Sequence, residues 1–336
     1  MTNAKLEKAW RSMEEQDDTL SPFLYFDYLK YIFQYTAYRN LMYSPAIVCV
    51  ESSNGEILMI APMKKNICNG KLKMLGDIQG CGTADFLFCP DLPDEIAREC
   101  IKLFIKEAGT KFKLGRINEN SLINSWLTQY ETSKSSEHLC VKIKFTEDVD
   151  LHLKGLSSSV KQNLRTAYNR MKRDKVEYEL RVWLPGSHIE HSIKERIMQL
   201  YLKRLLGKYK RYKVGNLFYK TYKTIFYKYI KHDTYSLYEL SNSFHAALFT
   251  QGKLMCFMSG FTNHKKTKVV IPRLAIDDTY KFYSPGYMLI CETMKRLATD
   301  TTIREIDLSR GIEKYKTDLG GELYHTNSYI FTNHHV

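Results

Sequence analysis

The chain has 336 residues, 44% of them hydrophobic and 13% aromatic, with 24 Tyr and only 8 Pro, which excludes a disordered or low-complexity polymer and leaves room for two domain cores. Its formal charge of +13 favours anionic partners, and charge alone does not choose among nucleic acids, headgroups, nucleotide-sugars and coenzyme A. No basic-then-apolar leader follows Met1 and no apolar run reaches about 18 residues, so a cytoplasmic protein without a membrane span is expected. The eight cysteines form no Cys-x-x-Cys pair and the ten histidines show no ligand spacing; reduced thiols and no metal site are expected.

In chain order, Ser21-Pro22 opens a helix whose buried face is Phe23, Phe26, Tyr28, Leu29 and Ile32, with serine as cap and proline at the first helical position. Asn54-Gly55 is a hairpin signal between strands over 46–50 and 56–62. A strand at 71–75 follows, then a short strand over 82–88 that carries Asp85, and a helix capped by Asp94 with Ile96, Cys100, Leu103 and Phe104 inward. A strand at 112–117, a short helix at 122–127 and a strand at 139–145 complete an α/β unit on a mostly antiparallel sheet.

Ser157 starts a new pattern, in which Val160, Leu164, Ala167 and Met171 recur at helical spacing beneath Lys161, Arg165, Arg170, Lys172 and Arg173. The domain boundary is placed near Asp148 to Asp150, giving domains 1–148 and 149–336. Val176, Tyr178, Leu180, Val182 and Leu184 alternate as a strand. Helices over 189–206 and 217–230 precede four strands at 235–240, 243–250, 254–261 and 268–276. A helix at 284–297, a strand at 303–308, a short helix at 313–319 and a strand at 327–331 end the chain. The pattern predicts an α+β protein of two tandem domains, each a mixed, mostly antiparallel sheet flanked by helices.

The chemistry is concentrated where the strand ending Arg273-Leu274-Ala275-Ile276 runs through a polar loop into the helix opened by Ser284-Pro285-Gly286-Tyr287. A helix N-terminus presents unpaired N–H groups and about half a positive charge, which suits a pyrophosphate. Gly286 allows close approach of a ligand, and Lys281 adds a cation. The strands before and after this helix can splay to admit a pantetheine arm. From Tyr201 to Lys231 ten cations interleave with tyrosines and no acid; this reads either as a polyanion surface or as a buried Tyr219-Tyr222-Phe226-Tyr229 stripe with solvated lysines.

The ordered series Ser21-Pro22-Phe23, the Asn-Gly hairpin ending in Ala61-Pro62, Asp85, Ser159 to Arg173, Tyr283-Ser284-Pro285-Gly286, Asp307-Leu308-Ser309-Arg310-Gly311 and Glu313-Lys314-Tyr315-Lys316 resembles the CelD-like acetyltransferases. That branch of the GNAT superfamily shares the double-domain architecture of the FemAB peptidyltransferases. The resemblance implies two GNAT-like domains and an N-acyltransferase that takes acetyl-CoA or another acyl-CoA. The acceptor it implies is an amine on a sugar, nucleotide-sugar or similar anionic metabolite, with polysaccharide pathways as the family's setting. It assigns Arg273, Leu274, Ala275, Ile276, Lys281, Tyr283, Ser284, Gly286 and Tyr287 to the acyl-CoA, and Asp85, Lys161, Arg165, Arg310 and Lys316 to the acceptor. The family's loop is Gln or Arg, two residues, then Gly-x-Gly or Gly-x-Ala; here one glycine, Gly286, remains. FemAB-like relatives with degenerate loops take aminoacyl-tRNA, so charged tRNA stands as the alternative donor and a non-catalytic polyanion-binding scaffold as the third reading. Tyr315 is the candidate acid for the leaving thiolate. The candidate bases are Glu239, Asp277 and Asp307, and no spacing singles one out.

Overall fold

The computed structural model describes residues 4–35, 41–76, 83–108, 111–127, 133–210 and 240–332. By internal contacts the chain divides into two compact units, residues 1–140 with 324–336 and residues 141–323. The division falls inside a strand, ahead of the expected cut at 148/149, and it assigns the last strand to the first unit. The predicted helix over 217–230, the strand over 235–240, most of the basic tyrosine-rich stretch and Glu239 lie outside the described residues. Among the described residues no helix is long and apolar enough to cross a membrane.

In the first unit, α1 (Ala4–Gln16) and α2 (Phe26–Tyr35) meet through Trp10 and Phe26, whose rings lie edge to face at 5.7 Å. Ser21 accepts from the Phe23 amide and Pro22 begins a short 3-10 turn, so the cap read from sequence forms one turn ahead of the helix. β1 (Tyr43–Glu51) and β2 (Ile57–Asn66) pair antiparallel across the Asn54-Gly55 turn, where Gly55 sits at φ 82°. The sheet continues from β2 to β3 (Leu72–Met74), β5 (Lys111–Asn118) and β12 (Glu322–Thr332), with β4 (Leu87–Phe88) on the side of β2. The strand expected over 82–88 shrinks to β4 and a single parallel bridge from Ala84 to Ile117, because Asp85 between them turns its carboxylate back onto the Phe86 amide at 2.8 Å. Helix α3 (Asp94–Ala108) buries Cys100, Ile101, Phe104 and Ile105 on this sheet, and α4 (Leu122–Leu127) adds Ile123, Trp126 and Leu127. A run of rings, Phe86, Phe104, Phe112 and Phe331, joined at 4.8, 5.5 and 4.7 Å, ties helix, sheet and the returning last strand together.

In the second unit the strand order is β11 (Glu305–Arg310), β10 (Lys268–Ile276), β9 (Lys253–Thr262), β8 (Ser243–Thr250) and β7 (Glu179–Trp183). β6 (Ser133–Lys144) crosses the unit boundary between Cys140 and Val141. A helix absent from the sequence reading, α5 (Val149–Gly155), follows it with Asp148 as its cap. Helix α6 (Ser158–Arg173) has Ser157 accepting from the Val160 amide and buries Val160, Leu164, Ala167 and Met171, the spacing read from sequence. These pack with α8 (Pro285–Asp300) on one face of the sheet. The opposite face is covered by α7 (His191–Lys210), whose Ile193, Ile197 and Leu200 meet Ala247, Phe249, Phe257 and Ala275. Gln251 and Gly252, at φ 47° and 71°, make the two-residue turn from β8 to β9.

One irregularity places the site. Along β9, Phe261 pairs with Val270 and Ser259 with Arg273, so Ile271 and Pro272 together oppose Gly260. This is a β-bulge at a proline, which has no N–H to give a ladder. A Cβ at Gly260 would stand 1.8 Å from the Val270 carbonyl oxygen, so only glycine admits the crowded backbone. Parallel pairing of β10 with β11 stops at the same place: its last partners are Val270 and Asp307. From Ile271 onward the two strands part.

Gly260→Ala is expected to cost about 4 kcal/mol or more, since the obstacle is backbone that cannot swing away; urea unfolding of wild type and variant measures it. A second expectation concerns Glu14, 3% exposed, whose carboxylate accepts from the Phe26 amide at 2.7 Å. Burial raises its pKa to about 7 against the bond from Phe26 and the charge of Arg11. A carboxyl whose folded pKa lies above its unfolded value holds its proton more tightly when folded. Stability is therefore highest below about pH 4 to 5 at this group and declines as pH rises towards 7. Glu14→Gln keeps an acceptor for Phe26 without the titration, so its melting temperature should fall less than that of wild type between pH 5 and 8.

Candidate active site

Three elements meet at the opening between β10 and β11. The first is the free stretch of β10. Leu274 and Ile276 pack into the core under α8, whereas Ala275 faces α7 and the Arg273 guanidinium lies 4.9 Å over the Tyr201 ring of α7. In register with Arg273 across the sheet are Ser259 and His245, 1% exposed each and hydrogen bonded through Nδ1 and Oγ at 2.9 Å. This polar row on an otherwise apolar face was not singled out from sequence.

The second element is the loop from β10 to α8, a 3-10 turn over Asp278–Tyr283. Asp277 caps it through the Thr279 amide and pairs with Lys203 at 3.2 Å. Burial acts to raise the Asp277 pKa, yet the bonds from Thr279 and Lys203 hold it below the ordinary carboxylate value, which weakens it as a base. On the other side Arg170 donates to the Phe282 carbonyl at 2.8 Å and stacks 4.3 Å from its ring, and the Tyr283 hydroxyl donates to Asp174 at 3.0 Å. Lys281 is exposed. The loop is thus held by α6 and α7 while its own cation points to solvent.

α8 then begins in an unusual way. Ser284 is left-handed at φ 51°, and its side chain makes no capping bond. The backbone there takes a conformation that glycine adopts without cost and serine does not. Pro285 occupies the first turn, and the Tyr287 amide bonds back to the Ser284 carbonyl at 3.1 Å. Gly286 is buried, and a Cβ there would meet Ile276 Cδ1 at 2.7 Å. The glycine thus allows the close packing of helix on strand.

The third element is the end of β11 with α9 (Lys314–Asp318). Asp307 accepts the Ser309 amide at 2.7 Å, and Ser309 adopts φ 55°. Lys316, expected to bind the acceptor, is 3% exposed and fully engaged. Its ammonium donates to the carbonyls of Leu308, Arg310 and Gly311 at 2.9, 3.0 and 3.1 Å and lies 3.0 Å from Glu313. A lysine with its three donors so committed has none for a substrate. It is the clamp of the β11 turn instead. Burial would raise the Glu313 pKa, and the Lys316 charge keeps it lowered.

Tyr315 stands beside this clamp, half-buried, its ring edge to face with Tyr287 at 6.1 Å. Tyr287 is committed, donating to Asp318 at 2.7 Å; the Tyr315 hydroxyl makes no hydrogen bond to a described residue. Burial, followed by the Glu313 charge, raises the Tyr315 pKa, and Arg204 of α7 pulls it down by less. The phenol therefore stays protonated at neutral pH and is available as an acid, not as a base.

The structure accordingly brings Arg273 to Ile276, Lys281, Tyr283, Ser284, Gly286, Tyr287, Asp307, Arg310, Tyr315 and Lys316 into one region of the second unit. Arg165 is exposed on α6, and Lys161 there donates to the Lys154 carbonyl at 3.0 Å. Asp85 belongs to the first unit, where burial raises its pKa to about 7 despite the bond from the Phe86 amide. Ser309, Glu313, Arg204, Arg170 and the His245-Ser259 pair are contributors for which no role was read from sequence.

Residues 158–317 match the family model described as acetyltransferase (GNAT) domain. The matched segment lies within the second unit and contains the open strands, the α8 N-terminus and the α9 tyrosine. Over nearly its whole length the chain shares a fold with solved two-domain structures. It is similar in fold to FemX, with TM-score 0.61 at 8% identity over 99% of this chain and 96% of that one. It is also similar to the C-terminal domain of a putative lysylphosphatidylglycerol synthetase from Agrobacterium fabrum, with TM-score 0.55 at 11% identity over 97% and 91%. A tandem GNAT protein from the clavulanic acid biosynthesis pathway gives TM-score 0.51 at 10% identity over 98% and 94%. Identities this low establish the shared fold alone. No curated protein matches the sequence.

Lys316→Met should lower stability by about 3 kcal/mol, because several buried carbonyls lose a charged donor at once. Thermal unfolding of the variant measures it. A variant as stable as wild type would return Lys316 to a binding role.

Proposed function

We propose that the protein is an acyl-CoA-dependent N-acyltransferase that acylates an amine on a small anionic acceptor. The observation that carries this reading is the parting of β10 from β11 at Val270 and Asp307, with a helix N-terminus at the far end of the freed strand. From Val270 to Ile276 at about 3.3 Å per residue the freed edge runs about 20 Å, the length scale of an extended pantetheine arm. A diphosphate at the first turn of α8 would gain from the helix dipole and from Lys281, and the thioester would then lie towards the vertex of the opening.

The chain's own groups have defined tasks there. Backbone N–H groups of β10 released from the ladder can face the thioester carbonyl and stabilise the oxyanion that forms as the amine attacks. The C–N bond forms, the C–S bond breaks, and the Tyr315 phenol can give its proton to the leaving thiolate. The proton lost by the amine passes to a base among the carboxylates or to water. Asp277 and Asp307 already accept bonds from the Thr279 and Ser309 amides, which leaves each a weaker base, and Glu239 stands beside them as the third candidate. Basic residues of α6 (Lys161, Arg165, Lys172 and Arg173) with no acid in the helix favour charged tRNA as the competing donor.

Calorimetric titration of acetyl-CoA tests the reading. Wild type should bind, and Lys281→Glu, a change at an exposed side chain, should weaken binding about tenfold. Tyr315→Phe should leave affinity nearly unchanged and lower turnover by about 10²-fold or more. No heat with acetyl-CoA, together with tRNA binding that falls steeply with salt, would select the tRNA reading.

A further inference from the structure

The vertex of the opening holds a residue to which no role has yet been given. Ser309 lies two residues beyond Asp307, the last residue of β11 paired with β10. It is 5% exposed, and its hydroxyl oxygen is buried without a hydrogen bond partner among the described residues. Its backbone is left-handed at φ 55°, a conformation that disfavours every residue except glycine. Two contacts enforce that conformation from outside: Asp307 holds the Ser309 amide at 2.7 Å, and Lys316 gathers the carbonyls on either side of it at 2.9 and 3.0 Å. A buried hydroxyl without a partner opposes folding, and so does a left-handed serine. Glycine at this position would relieve both, yet the chain keeps a serine where its strands open.

We propose that the Ser309 hydroxyl is a donor-binding group, which hydrogen bonds the acyl thioester of the bound acyl-CoA. The inference rests on the acyl-CoA reading above and deepens it by assigning the acyl end of the donor to one side chain. Position supports the assignment, because the α8 N-terminus fixes the diphosphate at the wide end of the opening and Ser309 lies at the narrow end. The chemistry fits: a thioester carbonyl accepts a hydrogen bond, and a hydroxyl can give one without any change of charge. The serine thus distinguishes acylated from free coenzyme.

The test compares Ser309→Ala and Ser309→Gly with wild type in two measurements, thermal unfolding and calorimetric titration of acetyl-CoA and of CoA. Both variants should melt higher than wild type, Ser309→Gly highest, because the hydroxyl without a partner is gone and glycine also releases the backbone. Wild type should prefer acetyl-CoA to CoA, and in both variants that preference should shrink by about fivefold, the worth of one hydrogen bond. A gain in stability with a loss of acyl discrimination is a pair of opposite signs that a merely structural serine does not produce. Variants that melt lower than wild type would overturn the proposal, as would an unchanged ratio of the two affinities or an equal loss for both ligands. Wild type that binds neither ligand would overturn the acyl-CoA reading and this assignment together, an outcome distinct from unaltered binding in the variants.

Discussion

Everything in the candidate site depends on β10 being unable to pair on both sides along its whole length. Pro272 gives no N–H, and the two residues Ile271 and Pro272 share a single partner, Gly260. The extra residue bends the strand and adds twist at that point, and β10 leaves β11 there while it stays on β9 through Ile276. A parallel ladder carried to the end of both strands would leave no edge for a ligand. The opening is therefore a consequence of backbone chemistry at three residues, and the side chains around it mostly serve to hold it in shape.

That division of labour explains the behaviour of the charged residues. Lys316, Asp307, Glu313, Asp277, Lys203 and Arg170 all sit close to the opening, and all are spent on loops: Lys316 on four consecutive carbonyls of the β11 turn, Asp277 and Arg170 on the turn before α8. Two serines in left-handed conformations, Ser284 and Ser309, mark the two ends of the opening. A backbone bent this far at a non-glycine residue persists only when neighbouring contacts over-determine it. At Ser309 those contacts are Asp307 and Lys316, so the most conspicuous charges of the segment act on backbone geometry and only through it on chemistry.

Local elements were legible because their signals are local. Ser157 capping α6 and the Val160-Leu164-Ala167-Met171 stripe lie within one helix, and the Asn-Gly and Gln-Gly turns each close a hairpin of their own. What the sequence did not show depends on partners far along the chain. The last strand pairs with β5, Thr326 opposite Asn118, and nothing in 327–331 announces that partner; hence the expected domain of 149–336 lost its final strand to the first unit. The short α5 was missed because its composition, with Asp, His and Lys among few apolar residues, is as compatible with a linker as with a helix. Lys316 read as a solvated or ligand-facing lysine because burial of its ammonium is decided by four carbonyls brought together by the fold. The His245-Ser259 pair did leave a trace, polar residues at inward positions of strands otherwise filled with Ala, Phe and Leu, and reading that break in alternation would have exposed the row beneath Arg273.

A site built this way has a further consequence for how such chemistry is encoded. Acyl transfer from a thioester to an amine needs an oriented carbonyl, donors for an oxyanion and a proton for the thiolate. On the proposed reading backbone amides supply the second and the Tyr315 phenol supplies the third, so only orientation calls for side chains chosen for the ligand. The residues that secure the opening, Gly260, Pro272 and Lys316, answer to the sheet and its turn, whereas those that face an acceptor answer to the substrate. On that reading the class of reaction is written in the strand that cannot close, and the acceptor is to be sought among polar side chains, of which Arg273, Ser259 and His245 form a buried row across the sheet.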